Sequence, residues 1–166
     1  MKIAVCPGSF DPVTLGHMDI IRRAADIFDR VIVVVMTNTN KNAMFTTEER
    51  VDFLKRSTSR LYNVEVDSYG GLLADYTKQK KADVIVKGLR AMSDFEYEFQ
   101  MALTNRKLNP DTETTFFTTT TEHMYLSSSL VKQVAKLGGD ITGFVPDCII
   151  NDIQNKVKGL NEDSLT

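Results

Sequence analysis

The segment from Pro7 to His17 contains the residue types that phosphate binding requires. Gly8 permits close approach of the backbone to a ligand, Ser9 supplies a hydroxyl group, and Gly16-His17 lies where a helix is predicted to begin. The start of a helix favours anions because its free N–H groups and its dipole are positive there. The same residues are equally compatible with an ordinary turn in which His17 caps the helix, so this loop alone leaves both interpretations open.

Two further segments combine cations or hydroxyl groups with the end of a strand or the start of a helix. Lys87-Gly88-Leu89-Arg90 follows a predicted strand, and two cations that flank a glycine there suit an oligophosphate better than a plain turn. Ser127-Ser128-Ser129 opens a predicted helix, and because capping needs one serine, three favour phosphate binding. Lys41 lies in the polar connection 37–41, where its spacing alone predicts a solvated surface charge.

The elements that must hold these segments follow from the periodicity of apolar residues. Short β-branched apolar runs alternate with stretches in which apolar residues recur at helical spacing. The strands are predicted at Lys2–Cys6, Arg30–Met36, Val64–Val66, Val84–Val86 and Thr114–Thr119. Helices are predicted through Met18 to Phe28, from Thr46 to Thr58 with a capping box at Glu49, and at Leu72–Lys80, Ser93–Leu108, Ser127–Leu137 and Asp147–Lys158.

This order of elements predicts a doubly wound, Rossmann-like α/β fold. Strands that are separated by single helices and apolar on both faces indicate a five-stranded parallel sheet with helices on both sides. Such sheets bind ligands beyond the carboxyl ends of their strands, beside the first strand, where strand order reverses. At 166 residues, the chain is expected to form a single domain over residues 1–166.

Composition and charge exclude several classes of protein. The net charge of −2 lacks the basic excess that nucleic-acid binding needs, and the longest apolar run, Val31–Met36, is six residues, so neither a nucleic-acid nor a membrane partner is expected. Gly8 and Gly16 lie eight positions apart, which excludes the fingerprint of nicotinamide dehydrogenases. Cys6 and Cys148 are too isolated for disulfides or zinc and are expected in the core of a cytoplasmic protein.

The segment Thr14-Leu15-Gly16-His17 resembles the signature of the nucleotidylyltransferase superfamily. Over its full length, Pro7–His17 is similar to the bacterial phosphopantetheine adenylyltransferases, and the similarity continues in the same order along essentially the whole chain. The other matching segments are Lys41, Phe45–Arg50, Lys87–Arg90, Asp94–Glu98 and Ser127–Lys132. These segments lie in the loops and helix starts where the predicted fold independently places a ligand.

The resemblance implies transfer of the adenylyl group of ATP to 4'-phosphopantetheine, giving dephospho-coenzyme A and pyrophosphate. Direct attack on the α-phosphorus, without a covalent enzyme intermediate, gathers negative charge, so positioned cations and hydrogen-bond donors are the main requirement. By resemblance, His17 stabilises the transition state, Lys41 bridges the reacting phosphates and Arg90 contacts the ATP phosphates. Mg²⁺ that accompanies ATP and a homohexameric assembly are implied in the same way.

The remaining site residues are assigned by the same resemblance. Ser9 contacts both substrates, and the phosphopantetheine side also includes Lys41, Leu73 and Lys87, where the family usually has arginine at position 87. The ATP side comprises Ser9, Phe10, His17, Gly88, Leu89, Arg90, Glu98, His123, Met124, Tyr125, Leu126, Ser127, Ser128 and Ser129. The segment Thr46–Arg50 is assigned no catalytic role, and Phe95, Tyr97 and Phe99 are expected to be packing residues.

Two other functions are compatible with these motifs. One is a nucleotidylyltransferase with a different phosphate acceptor, such as nicotinamide mononucleotide, because the transfer chemistry would be the same. The other is a non-catalytic nucleotide-binding module, which would keep the phosphate-binding loops without requiring His17 or Lys41.

Overall fold

The computed structural model describes residues 1–37, 43–90 and 92–163. Lys41, which the resemblance places between the reacting phosphates, lies outside these residues. The strands are β1 (Ile3–Gly8), β2 (Arg30–Met36), β3 (Val64–Tyr69), β4 (Val84–Leu89) and β5 (Glu113–Thr118). The helices are α1 (Leu15–Ile27), α2 (Thr47–Thr58), α3 (Leu73–Lys80), α4 (Met92–Leu108), α5 (Ser128–Lys136) and α6 (Ile150–Asp163), with 3₁₀ turns at Thr121–His123 and Asp147–Ile149.

The strands of the described chain form one parallel sheet in the order β3-β2-β1-β4-β5. β1 is central, and the chain crosses from one side of it to the other between β3 and β4. The doubly wound fold is therefore confirmed, with the reversal of strand order beside β1. Pairing between β1 and β4 covers Ala4–Val84 and Val5–Ile85, so their carboxyl-terminal halves are not paired with each other and leave a crevice between them.

The side chains of β2 show how the two faces of the sheet are covered. Val31, Val33 and Val35 join a large cluster that includes residues of α1, α2, α5 and α6, whereas Ile32 and Val34 pack with Tyr76 of α3 on the other face. This alternation is the period of a strand that is buried on both sides. Burial of each such side chain contributes roughly 1.5–3 kcal/mol, so the centre of the sheet is a rigid support for the loops at its edge.

Three strands extend further than the apolar patterns predict. β1 continues to Gly8, β3 to Tyr69 and β4 to Leu89, and each extension pairs in register with the adjacent strand. Backbone pairing continues these ladders because the hydrogen bonds of a sheet do not require apolar side chains. The segment 87–89 therefore forms the end of β4, which corrects its assignment to the loop after that strand.

The predicted helix signals are largely confirmed. The Thr46 hydroxyl accepts a hydrogen bond from the Glu49 N–H at 3.2 Å, and the Glu49 carboxylate accepts one from the Thr46 N–H at 2.7 Å, which is the predicted capping box. Gly138 has φ of 76° just after α5, as expected for a glycine that ends a helix. The last helix differs from its prediction, because a 3₁₀ turn occupies residues 147–149 before α6 begins.

Two expectations about packing are wrong in part. Cys6 is buried as expected, but Cys148 is exposed. Phe95, Tyr97 and Phe99 on α4 are 37%, 64% and 47% exposed, so they do not belong to the core of this chain. Apolar residue type alone does not distinguish a core position from a surface position. In the part of the chain that the structure describes, no helix is long and apolar enough to cross a membrane.

Candidate active site

A cavity of about 1010 Å³ opens at the carboxyl ends of β1 and β4. Small-molecule sites commonly measure about 300–1,000 Å³, so this cavity has room for a nucleotide together with a second substrate. Its walls come from the loop after β1, the start of α2, the end of β4, one face of α4 and the start of α5. It brings together eleven of the predicted site residues, namely Ser9, Phe10, His17, Lys87, Gly88, Arg90, Glu98, Leu126, Ser127, Ser128 and Ser129.

Other predicted site residues lie elsewhere. Five of the described residues that were predicted for the site do not line the cavity, namely Leu73, Leu89, His123, Met124 and Tyr125. Leu73 packs against the smaller core cluster, which includes Tyr76. Met124 and Tyr125 are largely exposed, and the Tyr125 ring contacts Phe144 at a centroid distance of 6.0 Å. The roles of these five residues, and that of Lys41, stay predictions.

Phe10 shapes the loop that follows β1. Its φ of 47° lies in the left-handed region, which costs a non-glycine residue roughly 1–2 kcal/mol. The Phe10 ring covers Gly8, where an added Cβ atom would lie 2.9 Å from Cζ of Phe10. The same ring packs against the His17 ring in a T-shaped arrangement at a centroid distance of 5.1 Å. Gly8 therefore makes room for Phe10, and Phe10 supports the imidazole ring.

His17 both caps α1 and lines the cavity. The Thr14 N–H donates to His17 Nδ1 at 3.0 Å, and the His17 N–H donates to the Thr14 hydroxyl at 3.3 Å. Because Nδ1 accepts a backbone hydrogen bond, the proton of the neutral ring is assigned to Nε2. The two interpretations left open by the sequence are thus compatible: the capping interaction fixes the tautomer that can donate to a ligand.

The electrostatic surroundings keep His17 uncharged. Burial, and after it the positive charges of Arg90 and Lys87, together lower the pKa of the imidazole to about 4. At neutral pH the ring is therefore a neutral Nε2–H donor. A phosphate bound between these groups would accept a hydrogen bond from Nε2–H, and the ring would keep its proton.

The two cations of the β4 segment are each paired with a carboxylate of α4. Lys87 Nζ lies 3.2 Å from Glu98, and Arg90 Nε lies 3.2 Å from Asp94. Arg90 also donates through Nη1 to the carbonyl of Leu126 at 2.9 Å. These two contacts fix one edge of the guanidinium plane and leave its remaining N–H groups for a ligand.

The three serines at the start of α5 differ in their hydrogen bonds. Ser127 caps the helix by accepting from the Leu130 N–H at 3.1 Å, and Ser128 donates to the carbonyl of Pro12 at 2.7 Å. Ser129 makes no side-chain hydrogen bond within the described part of the chain and lines the cavity. Ser129 is therefore the hydroxyl of this segment that remains for a ligand, beside the free N–H groups of the helix start.

Four charged residues of the cavity wall were given no role by the sequence, namely Asp11, Arg50, Asp94 and Lys132. Arg50 donates to the carbonyl of Ser9 at 2.9 Å, and Lys132 donates to Asp11 at 2.7 Å. The first turn of a helix disfavours a cation, so the position of Arg50 in α2 was an available signal of a tertiary contact. An acid within a loop that is predicted to bind phosphate is a similar signal, because its negative charge requires a partner.

Comparisons with known proteins identify the family of this chain. A sequence profile described as cytidylyltransferase-like matches residues 5–134. The phosphopantetheine adenylyltransferase of Alkaliphilus metalliredigens is 56% identical over 156 residues, which cover 94% of this chain and 99% of the relative. That of Clostridium tetani is 57% identical over 156 residues, which cover 94% and 98%.

A solved structure from Vibrio parahaemolyticus, provisionally described as a nicotinate-nucleotide adenylyltransferase, has a similar fold. Its TM-score is 0.70 at 19% sequence identity, over 94% of this chain and 96% of that one. At this identity the likeness concerns the fold. The family profile, which covers most of the chain, shows that the chain belongs to the cytidylyltransferase-like class of nucleotidyl-transferring enzymes. Within that class, the chain belongs to the phosphopantetheine adenylyltransferase family, which confirms the resemblance drawn from its motifs.

We expect the His17 ring to stay neutral down to about pH 5, because its pKa is lowered to about 4. NMR titration of ring-labelled protein should place the midpoint well below the ordinary value of about 6.5. The chain has two histidines, so a His123→Gln variant assigns the signals. Since the unfolded chain binds this proton more tightly, the His17 contribution to stability should be lost as pH falls from about 6.5 to about 4. A midpoint near 6.5 would contradict the neutral-donor assignment.

Proposed function

We propose that this protein transfers the adenylyl group of ATP to the phosphate of 4'-phosphopantetheine, giving dephospho-coenzyme A and pyrophosphate. The observation that carries the proposal is the neutral ring of His17, which shares one cavity with the cations of Lys87 and Arg90. The high identity to relatives named for this reaction supports the choice of acceptor. The position of the cavity at the reversal of strand order supports a nucleotide as the donor.

In the proposed reaction, an oxygen of the acceptor phosphate attacks the α-phosphorus of ATP while the bond to pyrophosphate breaks. Both reactants are anions, so the protein must hold cations and N–H donors in position before they meet. Lys87 and Arg90 supply the cations, and the start of α5 supplies N–H groups. His17 donates from Nε2 to an oxygen of the α-phosphate as its charge grows, and needs no proton transfer to do so.

The proposed division of the site follows the two sides of the cavity. Arg90, Gly88, Glu98 and the serines of α5 form the ATP side, together with Phe10 and His17. Ser9 is proposed to contact both substrates, and Lys87 is proposed to contact the acceptor. Lys41 and Leu73 on the acceptor side, and Leu89 with residues 123–126 on the ATP side, are assigned from the family resemblance.

We propose that Mg²⁺ enters with ATP. The carboxylates that line the cavity in the described chain are Asp11, Asp94 and Glu98, and each lies within 3.2 Å of a cationic side chain. No group of three or more His, Cys, Asp or Glu side chains in that part of the chain could hold a metal ion. This donor set fits a metal whose ligands are phosphate oxygens and water, where it would neutralise the pyrophosphate leaving group.

We further propose that the protein forms a homohexamer and is located in the cytoplasm. Exposed apolar side chains on α4 support an assembly, because Phe95, Tyr97, Phe99 and Leu103 would otherwise remain in contact with water. The number of subunits rests on the family resemblance. The cytoplasm is proposed because ATP is supplied there and both cysteines are unpaired thiols.

An acceptor panel tests the proposed reaction. The purified protein should release pyrophosphate from ATP with 4'-phosphopantetheine and form dephospho-coenzyme A, detected by mass spectrometry, whereas nicotinate and nicotinamide mononucleotides should react far more slowly. His17→Ala should lower kcat about 100- to 1,000-fold while weakening ATP binding much less, because the donor acts on charge that develops during transfer. Faster turnover with another acceptor would contradict the proposed substrate.

Variants of the two cations should separate the acceptor and donor sides. Lys87→Ala should raise KM for phosphopantetheine about tenfold or more, which corresponds to one charge-assisted hydrogen bond, whereas Lys87→Arg should remain active. Arg90→Ala should chiefly weaken the use of ATP. Because Lys87→Ala leaves Glu98 unpaired, the double variant Lys87→Ala/Glu98→Gln controls for repulsion by that carboxylate. Unchanged kcat and acceptor KM in both Lys87→Ala variants would remove Lys87 from the acceptor site.

Light scattering should give a mass six times the 18.7 kDa of the chain. Phe99→Asp should produce smaller assemblies, because it places a charge on the exposed apolar surface of α4, beside Phe95 at a ring distance of 5.4 Å. Leu137→Asp, at a residue that is 81% exposed just after α5, is the matched control and should leave the mass unchanged. A monomer at every concentration would refute the hexamer without affecting the catalytic assignment.

A further inference from the structure

The carboxylate of Asp11 is buried in the wall of the cavity. The residue is 6% exposed, and both of its oxygens are occupied by donors of the protein. Oδ1 accepts from the Phe45 N–H at 2.9 Å, and Oδ2 accepts from the Met44 N–H at 3.1 Å and from Lys132 Nζ at 2.7 Å. A carboxylate held in this way is not available as a general base, so its importance must lie in the segments that it joins.

These hydrogen bonds connect three separate parts of the chain. Asp11 follows Phe10 in the loop after β1, residues 44 and 45 lead into α2, and Lys132 lies on α5. Arg50 of α2 contacts the same loop, because its guanidinium group donates to the carbonyl of Ser9 at 2.9 Å. The turn formed by residues 9–11 is therefore held by hydrogen bonds from the α2 region on one side and from α5 on the other.

Stability alone does not require this arrangement. The Asp11 carboxylate is buried and its partner Lys132 is 24% exposed, and well-packed apolar residues are often at least as stable as an ion pair with a buried member. The left-handed backbone of Phe10 adds strain at the same turn. Local features that oppose stability are expected where neighbouring groups must be placed accurately for function. Here the neighbouring group is His17, whose ring contacts Phe10.

We infer that Asp11 is a positioning residue for adenylyl transfer. Its carboxylate sets the turn of Ser9 and Phe10, sets the His17 ring through its contact with Phe10, and holds the Lys132 ammonium group at the cavity wall. Asp11 acts through these residues and does not touch the reacting atoms. The inference rests on the proposed function for its kinetic test, and a spectroscopic test examines it independently of turnover.

The kinetic test compares two carboxylates that each hold a lysine. Asp11→Asn keeps the shape of the side chain and removes its charge, and should lower kcat about 100-fold, as expected when a catalytic group moves by about 1 Å. Asp67 provides the matched control, because it accepts from Lys80 and from the Tyr76 hydroxyl at 2.8 Å each and lies outside the cavity. Asp67→Asn should keep kcat within about twofold, since it moves no catalytic group.

The spectroscopic test uses the ring signals of His17 in the ligand-free protein. Asp11→Asn should shift these signals, because movement of Phe10 changes the aromatic surroundings of the imidazole ring. Asp67→Asn should leave them unchanged. The signals of His123, which accompany those of His17 in the same spectrum, provide an internal reference.

The outcomes separate a positioning role from a purely structural one. If Asp11→Asn keeps kcat within about twofold and leaves the His17 signals in place, the inference is overturned, even if the unfolding temperature falls. If Asp11→Asn does not fold, the double variant Asp11→Asn/Lys132→Met removes the unpaired ammonium group and is compared with Lys132→Met. Equal kcat values in that pair overturn the inference. If the wild-type protein forms no dephospho-coenzyme A, the proposed function fails, and the His17 signals alone decide the role of Asp11.

Discussion

The hydrogen bond from the Thr14 N–H to His17 Nδ1, at 3.0 Å, connects the fold of this chain to its chemistry. It satisfies a backbone donor at the start of α1, where the helix has no internal acceptor to offer. It also assigns the proton of the neutral ring to Nε2. Burial and two nearby cations keep the ring neutral, so the interaction that caps the helix also prepares a hydrogen-bond donor for the cavity.

The charges of the cavity are nearly balanced in the ligand-free chain. The described lining residues include four side-chain cations, Arg50, Lys87, Arg90 and Lys132, and three carboxylates, Asp11, Asp94 and Glu98. Pairing lowers the cost of placing these cations together before a phosphate is present. The net positive charge and the helix starts of α1 and α5 still favour an anion. In the proposed reaction, phosphates that bind Lys87 and Arg90 would exchange with or share the carboxylate partners of these cations.

Helix α4 links the cavity to the outer surface. Asp94 and Glu98, one helical turn apart, hold the two cations of the β4 segment. Phe95 and Phe99, each the next residue along, stack on each other at 5.4 Å and remain exposed. An assembly that covers these rings would also restrain the helix that carries Asp94 and Glu98. The proposed assembly and the proposed ligand binding would therefore act on the same element.

The sequence by itself determined the order of the strands and helices along the chain, the capping box at Thr46 and the central position of β1, and its family resemblance identified eleven of the residues that line the cavity. The elements and their arrangement follow from local periodicity, helix-capping patterns and rules for parallel sheets. Only the tertiary structure decided that Lys87 pairs with Glu98, that Asp11 forms an ion pair with Lys132, and that the aromatic residues of α4 are exposed. Such contacts join residues distant in sequence, and they depend on the angles and distances at which helices pack on the sheet, which no local pattern encodes.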